Sequence, residues 1–492
     1  MDKKIGNTAV FKVSIIISVL IVLWGLMAPD NFSSAANWAF STITQKFGWF
    51  YVLSMAIFLF FSIWIAYFSR FGHIPLGKDG EKPEYSIFSW FAMLFSAGMG
   101  VGLIFWGVAE PINYYLNPLG AEPQSKEAAM FAFNKAFLHW GMHPWAAYAI
   151  IGMSLAYMQY RKSYKGLISS ILVPLFGEGF EKTFLGKSID VLTIIATVAG
   201  VATSLGLGTY QINSGLNYIF GIANNKQTQA VIILITTIIV IASVSTPLEK
   251  GIKIISDINI YFAIILLTFC FFFGPTVDII NTFIEGIGVY ATNFMSNSFS
   301  IGAFGDNKWY GSWTLFYWAW FIAWAPFTGM FIAKISKGRT IREFITGVLL
   351  APAIVSFFWF SVFGRIAINA PIEIINEAIK STPTAYFIIM KNFPLGTVVN
   401  VFTIVLLSTF FITSANSATF VLGILSSDGD LEPSTNKKII WAILQAGFAL
   451  CLMLGSSNGL QMLQTASITL AFPFAIVMIL CIISFVKILK KD

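Results

Sequence analysis

Long apolar runs alternate with short polar stretches along the whole chain. Each run has about 18 or more residues, which is enough for an α-helix to cross a hydrocarbon core about 30 Å thick. The first run follows two lysines but has no clear small-residue cleavage site, so we interpret it as a retained helix. The pattern predicts about twelve transmembrane helices, at residues 11–28, 48–69, 86–109, 138–160, 189–215, 229–246, 252–275, 311–335, 342–366, 396–425, 436–456 and 464–487.

The composition agrees with a protein that folds in lipid. Of the 492 residues, 57% are hydrophobic and 11% are charged, whereas soluble domains average about 25% charged residues. No polar linker divides the chain, so we expect a single all-α integral membrane domain over residues 1–492. Cys270, Cys451 and Cys481 all lie in apolar runs, which favours buried small side chains over a disulfide framework.

The basic residues indicate an orientation. If the N terminus is placed inside, 22 of the 30 Lys and Arg residues fall in or beside inside segments. By the positive-inside rule, both termini are predicted to be cytoplasmic in a multi-pass cell-membrane protein. The net charge of +7 is then explained by basic residues in the cytoplasmic segments. No basic stripe with interleaved aromatic residues indicates nucleic acid as a partner.

Two further segments have helical patterns without being convincing spans. Residues 276–304 carry scattered apolar positions with polar interruptions, which is typical of a helix lying along the membrane interface. Residues 371–391 are also predicted to form short helical segments.

The third predicted span contains glycines at every second position, Gly98, Gly100 and Gly102, and ends at Glu110-Pro111. Small residues that mediate helix contacts are usually spaced by four, and this spacing does not place the glycines on one face. The stretch therefore favours an interrupted helix, because broken helices at mid-membrane expose backbone groups to solutes and ions in many secondary transporters.

The eighth predicted span has an aromatic row at helical spacing: Trp313, Tyr317, Trp320, Trp324 and Phe327. We interpret Trp313 as part of an aromatic belt at the membrane edge. Trp320 and Trp324 lie deeper. Indole faces attract cations that cannot donate hydrogen bonds, and aromatic cages are the usual binding sites of quaternary ammonium groups. A buried aromatic core remains the alternative.

The fourth predicted span adds Trp140, Trp145 and Tyr148 to this aromatic set. It also holds His139 and His143 one helical turn apart. That spacing suits a shared metal, but a catalytic zinc site needs a third ligand and a base. With no intramembrane carboxylate expected nearby, we assign the two histidines to structural hydrogen bonding.

Hydroxyl groups in two spans are candidates for a hard monovalent cation. Thr413 and Ser414 lie in the tenth span, and Thr197 and Ser204 lie in the fifth. Sodium prefers neutral oxygens, although any such hydroxyl can instead bond to the carbonyl four residues earlier. No Asp or Glu is expected at mid-depth in the third, fifth, eighth or tenth span, and proton relays normally use one. The pattern therefore favours sodium over protons.

The motifs Gly98-Met99-Gly100-Val101-Gly102, Trp313-Thr314 to Phe327 and Arg339-Thr340-Ile341-Arg342 closely resemble the betaine/carnitine/choline transporter (BCCT) family, over essentially the whole chain. The resemblance implies a LeuT-type fold. Spans 3–7 (86–275) and 8–12 (311–487) would form two inverted repeats preceded by two extra helices. It also implies a homotrimer packed partly through 276–304, and no cofactor apart from Na⁺ as coupling ion.

The resemblance also implies site residues, position by position. It places a substrate site at Trp140, Trp145, Tyr148, Trp320, Phe321, Trp324, Gly98, Gly100 and Gly102. It places one sodium site at Ser96, Met99, Phe410, Thr413 and Ser414, and a second at Thr197 and Phe327.

Three departures from the family pattern affect these expectations. Phe321 replaces a tryptophan of many members, and Val201 replaces a hydroxyl of the second sodium site. The tail after Val486 is only Lys487–Asp492, where osmosensing members have longer charged tails. Proton-coupled choline carriers have an acid where this chain has Gly102, and sodium-independent exchangers carry an Arg or Met in place of sodium.

The sequence thus predicts a sodium-coupled importer of glycine betaine or a related solute, not an enzyme, because no nucleophile–base or metal constellation is present. A choline, carnitine, ectoine or proline carrier, or an exchanger, remains an alternative within the family. A channel is the alternative from another class, although no pore-loop repeat or ring of charges is present.

Overall fold

The structure is a computed structural model that describes residues 8–98, 100–245, 248–454 and 459–491. The backbone of 95–98 and 248–257 is described without the side chains. The described chain is built from α-helices and contains no β-strand, apart from one isolated antiparallel bridge between Pro75 and Thr340. The expected all-α membrane fold is confirmed.

The first eleven helices include long apolar helices and several shorter ones. They are α1 Ala9–Met27, α2 Pro29–Ile63, α3 Ile87–Gly98, α4 Val101–Leu116, α5 Lys126–Trp140, α6 Met142–Ala156, α7 Ile168–Ile171, α8 Val173–Phe176, α9 Phe184–Phe220, α10 Lys226–Val244 and α11 Leu248–Phe273. Turns of π-helix, Trp64–Phe68 and Tyr157–Arg161, extend α2 and α6.

The remaining helices begin with short pieces near the surface. They are α12 Thr276–Thr292, α13 Phe294–Phe299, α14 Asn307–Ser312, α15 Thr314–Ile335, α16 Ile341–Ile368, α17 Ile372–Ala378, α18 Ala385–Lys391, α19 Gly396–Ser426, α20 Thr435–Leu454 and α21 Gly459–Leu489. The short helical pieces expected within 371–391 are α17 and α18.

Nine helices of the described chain are long and apolar enough to cross a membrane. They correspond to predicted spans one, two, five, six and eight to twelve. The seventh prediction corresponds to α11, whose described part Ile258–Phe273 forms a bent pair with α12. The third and fourth predictions each correspond to two shorter helices. Predicted and observed spans therefore agree in order, but the third and fourth predicted spans are each divided into two helices.

The second predicted span, 48–69, is too short. The helix begins at Pro29, with Pro at its first turn and Asp30 beside it, and both residues are favourable at a helix N terminus. Residues 29–47 contain enough polar side chains to hide the helix from a hydropathy window, but they do not interrupt its backbone.

The helix breaks at the expected glycine stretch. The α3 helix ends at Gly98 and α4 begins at Val101, and Gly100 has φ −148° and ψ −133°, far from helical values. A second break at Gly141, with φ −89° and ψ −140°, separates α5 from α6. The sequence did not predict this break, nor that α5 begins at Lys126 instead of residue 138.

The chain turns by 110° between the Ile258–Phe273 part of α11 and α12. The α12 helix therefore leaves the direction of the preceding span, as expected of a helix at the membrane interface. It presents Val277 and Ile284 outwards, with 71% and 64% of each residue exposed. Gly286 on the other side faces Phe137 of α5. This amphipathic arrangement covers the bundle with one face and leaves an apolar face free.

The centre of the bundle consists of α6, α9 and α15, with α4, α16, α19 and α21 packed around them. Close approach of α6 and α15 requires small residues on both helices. A Cβ at Gly152 would meet the Gly329 carbonyl at 3.1 Å, and a Cβ at Gly329 would meet Ile151 at 2.7 Å. Backbone contact through paired glycines is a common way to pack membrane helices.

Two loops are joined by hydrogen bonds and an ion pair at one end of the bundle. Leu76 N donates to Arg339 O at 2.7 Å, and Ile341 N donates to Ile74 O at 2.9 Å. The Lys337 ammonium lies 2.5 Å from Glu81, and this hydrogen bond lowers the pKa of Glu81 from its ordinary value. The loops joining α2 to α3 and α15 to α16 therefore form one structural unit.

Candidate functional site

A cavity lies where α4, α5, α6, α9, α15 and α19 meet. Its lining is mostly aromatic and apolar, with two serines and the glycines of the helix break. The lining residues are Gly100, Val101, Gly102, Trp140, Tyr148, Val201, Ser204, Leu205, Trp320, Phe321, Trp324, Phe411 and Ser414. Helices from both predicted repeats contribute to it.

The aromatic rings around the cavity pack at right angles or nearly parallel. Trp140 lies edge-on to Trp320 at 6.3 Å and to Phe321 at 5.6 Å, with interplanar angles of 89° in both pairs. Trp320 and Phe321 are stacked at 5.8 Å. Tyr148 approaches Phe321 at 6.0 Å. The rings thus form a continuous aromatic surface along one side of the cavity.

Hydrogen bonds from α15 to α9 fix two of the indoles. Trp324 Nε1 donates to Gly200 O at 2.9 Å, and Trp320 Nε1 donates to Ser204 Oγ at 3.3 Å. A Cβ at Gly200 would lie 2.9 Å from Trp324, so this close approach depends on glycine. Because the N–H edges point to α9, the π faces of the two rings are oriented without using their hydrogen-bonding groups on a solute.

Gly102 allows the broken helix to reach the indoles. A Cβ at this position would lie 2.8 Å from Trp140 and 3.1 Å from Trp320. Gly100 also lines the cavity, and a Cβ there would meet only Ser414 Oγ, at 3.5 Å. The two glycines therefore have different steric roles, and Gly102 is the more restricted of the two.

One of the predicted substrate residues, Trp145, does not line the cavity. Trp145 is 1% exposed and packs edge-on against Tyr148 at 5.5 Å, so it supports a lining residue from behind. Gly98 ends α3. The structure brings together seven of the predicted residues: Trp140, Tyr148, Trp320, Phe321, Trp324, Gly100 and Gly102.

A buried carboxylate, which the sequence reasoning missed, lies behind the aromatic surface. Glu110 is 0% exposed, and its Oε2 accepts from Trp140 Nε1 at 2.8 Å and from Tyr317 O–H at 2.6 Å. Its Oε1 lies 2.8 Å from His139 Nδ1. The expectation that no carboxylate lies near the histidines is therefore wrong.

Glu110 was missed because Glu110-Pro111 was interpreted as the end of the third span. The α4 helix instead continues through Pro111 to Leu116. A proline removes one donor from a helix but need not end it when packing supports the segment. The signal that could have revealed Glu110 is its position eight residues after Gly102, roughly two turns along one helix face.

The two histidines have different partners. His139 Nε2 lies 3.0 Å from Thr314 Oγ1, in addition to the Glu110 contact. His143 Nε2 lies 2.9 Å from Ser298 Oγ, and its ring stacks on Trp318 at 5.3 Å. No cluster of three metal-ligating side chains occurs among the described residues. These hydrogen bonds agree with the structural role expected for both histidines.

Trp313 lies among aromatic side chains of the bundle. Its ring packs edge-on against Trp106 at 5.5 Å and Tyr114 at 4.8 Å. Trp313 precedes the first residue of α15, so its interpretation as part of an aromatic belt at the membrane edge stays a prediction. The row on α15 is an internal packing surface from its first turn to the cavity.

The candidate sodium ligands lie on two sides of the cavity. Ser414 lines it, while Thr413 Oγ1 bonds the Thr409 carbonyl at 3.1 Å and accepts from Asn259 Nδ2 at 3.1 Å. Phe410 is buried on the same helix. The Ser96 side chain and all of Met99 lie outside the described part of the chain, so this ligand set is only partly visible.

The second candidate pair is also buried. Thr197 Oγ1 on α9 bonds the Thr193 carbonyl at 2.8 Å, and Phe327 on α15 packs edge-on against Trp324 at 5.3 Å. Val201 lines the cavity one turn further along α9. A threonine that donates to its own helix keeps a lone pair that can face a cation, so these bonds do not exclude coordination.

The fold and the cavity define a multi-pass membrane carrier with an internal aromatic site between helices. The chain matches the model of the BCCT, betaine/carnitine/choline family transporter, over residues 9–492. The chain belongs to this family of membrane transporters and is not an enzyme.

Named relatives align over nearly the full length of the chain. The glycine betaine transporter OpuD of Bacillus subtilis is 45% identical over 489 residues, covering 99% of this chain and 95% of the relative. The ectoine/hydroxyectoine transporter of Virgibacillus pantothenticus is 41% identical over 497 residues, covering 100% and 98%. The ectoine/glycine betaine/proline transporter EctP of Corynebacterium glutamicum is 38% identical, covering 98% and 80%.

Proposed function

We propose that this protein imports glycine betaine, or a related quaternary-ammonium compatible solute, by sodium symport with alternating access. The observation that carries the proposal is the aromatic surface of Trp140, Tyr148, Trp320, Phe321 and Trp324 around one buried cavity. A trimethylammonium group has no N–H to donate, so ring faces are its natural partners. The printed substrates of the relatives support this solute class.

The other end of a betaine molecule needs a different partner. The α4 helix begins at Val101 beside the cavity, and its N-cap residue, Gly100, has no side chain that could cap it. Helix N termini at a break attract carboxylates through the free N–H groups and the helix dipole. We therefore orient the solute with its carboxylate toward Gly100–Gly102 and its ammonium group toward the indoles.

Sodium coupling rests on the hydroxyl groups of α19 and α9. Ser414 lies beside Gly100 at the helix break, and Thr413 precedes it, so the first site would combine hydroxyl and backbone oxygens. The second site would use Thr197 with Phe327. The argument from missing acids no longer supports sodium, because Glu110 and His139 form a buried titratable pair. The ion must therefore be tested directly.

Uptake of labelled glycine betaine into proteoliposomes separates the coupling modes. We expect accumulation driven by an inward sodium gradient, and no accumulation when potassium replaces sodium on both sides. Accumulation driven equally by a proton gradient without sodium would contradict the symport assignment. Equilibration without accumulation under any gradient would indicate a channel. Uptake only into vesicles preloaded with a solute would indicate an exchanger.

Ectoine is the second candidate solute. Phe321 offers a smaller and weaker π surface than indole, and one named relative takes ectoine and hydroxyectoine. Competition of betaine, choline, carnitine, proline and ectoine against labelled betaine ranks the candidates. We expect betaine to compete most strongly, and stronger competition by ectoine would reverse the assignment.

We further propose a cell-membrane location with both termini cytoplasmic, and a homotrimer packed partly through 276–304. The apolar outer face of α12, with Ile280 and Ile284 exposed, supports such packing. Native mass spectrometry in mild detergent should give three 54.4 kDa chains. A single chain at all detergent concentrations would contradict the trimer.

A further inference from the structure

Glu110 links helices that contribute opposite parts of the cavity lining. It lies on α4, and its Oε2 accepts from Trp140 of α5 and from Tyr317 of α15. Trp140 lines the cavity, and Tyr317 is one turn before Phe321 on α15. One oxygen atom thus fixes the relative position of two helices at the aromatic surface.

The carboxylate is fully buried, and the described chain gives it no Lys or Arg partner. Its Oε1 faces His139 Nδ1 at 2.8 Å, and His139 Nε2 faces the Thr314 hydroxyl at 3.0 Å. The Tyr114 hydroxyl lies 3.1 Å from the same Nδ1 atom. A neutral imidazole with its proton on Nδ1 donates to Glu110 and accepts from Thr314. In that arrangement Glu110 accepts in all three of its contacts with Trp140, Tyr317 and His139, as an ionised carboxylate does.

The indole of Trp140 lies between this charge and the cavity. Its Nε1 edge binds Glu110, while its far edge, the Cη2 and Cζ3 atoms, faces Gly102 at the cavity lining. An N–H that donates to a carboxylate polarises its ring and raises the electron density of the π face. A more negative face attracts a cation more strongly.

We propose that Glu110 is a positioning residue that sets the orientation of Trp140 and strengthens its attraction for the ammonium group of the solute. This role rests on the proposed function, because it requires a cationic group in the cavity. It differs from a purely architectural role, in which any hydrogen-bond acceptor of the same shape would serve.

A double-mutant cycle on the affinity for labelled glycine betaine tests the proposal. Glu110→Gln keeps the shape and an acceptor but removes the charge, and Trp140→Phe keeps a ring but removes the N–H. We expect each single change to weaken betaine binding roughly tenfold. The double variant should bind no more weakly than Trp140→Phe alone. Penalties that multiply, or wild-type affinity in Glu110→Gln, would overturn the proposal.

A neutral isostere of betaine separates charge from architecture. In 3,3-dimethylbutanoate a carbon atom replaces the ammonium nitrogen, so its shape is retained without the positive charge. We expect Trp140→Phe to reduce the preference for betaine over this isostere, and this test stands even if Glu110→Gln does not fold. An unchanged preference would overturn the proposal. The matched control is Glu122→Gln in the exposed loop after α4, which should bind betaine as wild type does.

The proposed function and the proposed role of Glu110 are contradicted by different results. If the wild-type protein binds neither betaine nor other quaternary-ammonium solutes, the proposed function is wrong. If the protein binds betaine, and these substitutions leave its preference for betaine over the isostere unchanged, the proposed function stands and the proposed role of Glu110 is wrong.

Discussion

At the scale of single residues, the cavity uses ring faces where a polar site would use hydrogen bonds. The N–H groups of Trp320 and Trp324 both donate hydrogen bonds to α9. What remains exposed to the cavity is π surface, which discriminates a cation by its charge and methyl groups. Recognition by this surface would tolerate related ammonium solutes better than a site built from directional bonds.

The first prediction concerns Trp324. Trp324→Phe keeps an aromatic ring but removes the bond to Gly200 and part of the π surface, so we expect KM for betaine to rise about 3- to 30-fold, in line with about 0.5–2 kcal/mol per cation–π contact. Uptake kinetics in proteoliposomes measure it. Trp318→Phe is the matched control, because Trp318 stacks on His143 away from the cavity lining and should leave KM near wild type.

The second prediction concerns Gly102. Gly102→Ala would place a methyl group 2.8 Å from Trp140, and two rings would have to shift. We expect betaine binding to fall by more than tenfold while the protein remains folded, as overpacking costs about 1–3 kcal/mol. Gly288→Ala is the control, since a Cβ there meets nothing within 4 Å. Wild-type binding by Gly102→Ala would show that the indoles do not hold the solute in this arrangement.

Residue types and spacing predicted the aromatic set but not its partners. The row on α15 follows from helical periodicity, the fourth predicted span added Trp140 and Tyr148, and the resemblance assigned these residues to a substrate site. Neither source revealed Glu110, because a Glu-Pro pair after an apolar run has the composition of a helix end. Only the three-dimensional packing shows that α4 continues and brings the carboxylate to Trp140 and Tyr317.

At the scale of helices, the two breaks differ in how visible they are in the sequence. Three alternating glycines predict the break between α3 and α4, because this spacing serves no single packing face. The break at Gly141 depends on one glycine, whose Cβ would lie 2.4 Å from Phe137 O and 2.9 Å from Phe357. Such steric demands arise from tertiary contacts, so the sequence alone does not display them.

The third prediction concerns the N terminus of α16. Thr340 and Glu343 form a reciprocal capping box there, and Thr340 also belongs to the loop pair at one end of the bundle. Thr340→Ala should destabilise the protein by about 1 kcal/mol, measured as a lower thermal unfolding temperature in detergent. Thr409→Ala is the control, because that hydroxyl only bonds back to its own helix. Equal stability of the two variants would contradict a role for the cap.

At the scale of the whole molecule, the sequence predicts the order of the spans better than their arrangement. Run length and hydropathy locate spans because the bilayer imposes a common length on them. They do not tell which helices are neighbours, since lipid-facing and buried faces are both apolar. The central position of α9 and α15 follows from glycines such as Gly200 and Gly329, whose role appears only in contact.

The fourth prediction tests the orientation. All three native cysteines are buried, so a single introduced cysteine should react over a low background. Glu84→Cys, in the loop after α2, should react with a membrane-impermeant maleimide in intact cells only after permeabilisation. Glu122→Cys, in the exposed loop after α4, should react without it. The reverse pattern would invert the orientation derived from the positive charges.

The central claim is that the aromatic cavity holds the ammonium group of the solute. A cryo-electron microscopy structure with saturating glycine betaine tests it most directly. We predict density for the trimethylammonium group within about 6 Å of the ring centroids of Trp320 and Trp324, with the carboxylate toward Gly100–Gly102. Solute density elsewhere in the bundle, in a preparation that binds betaine, would contradict the account.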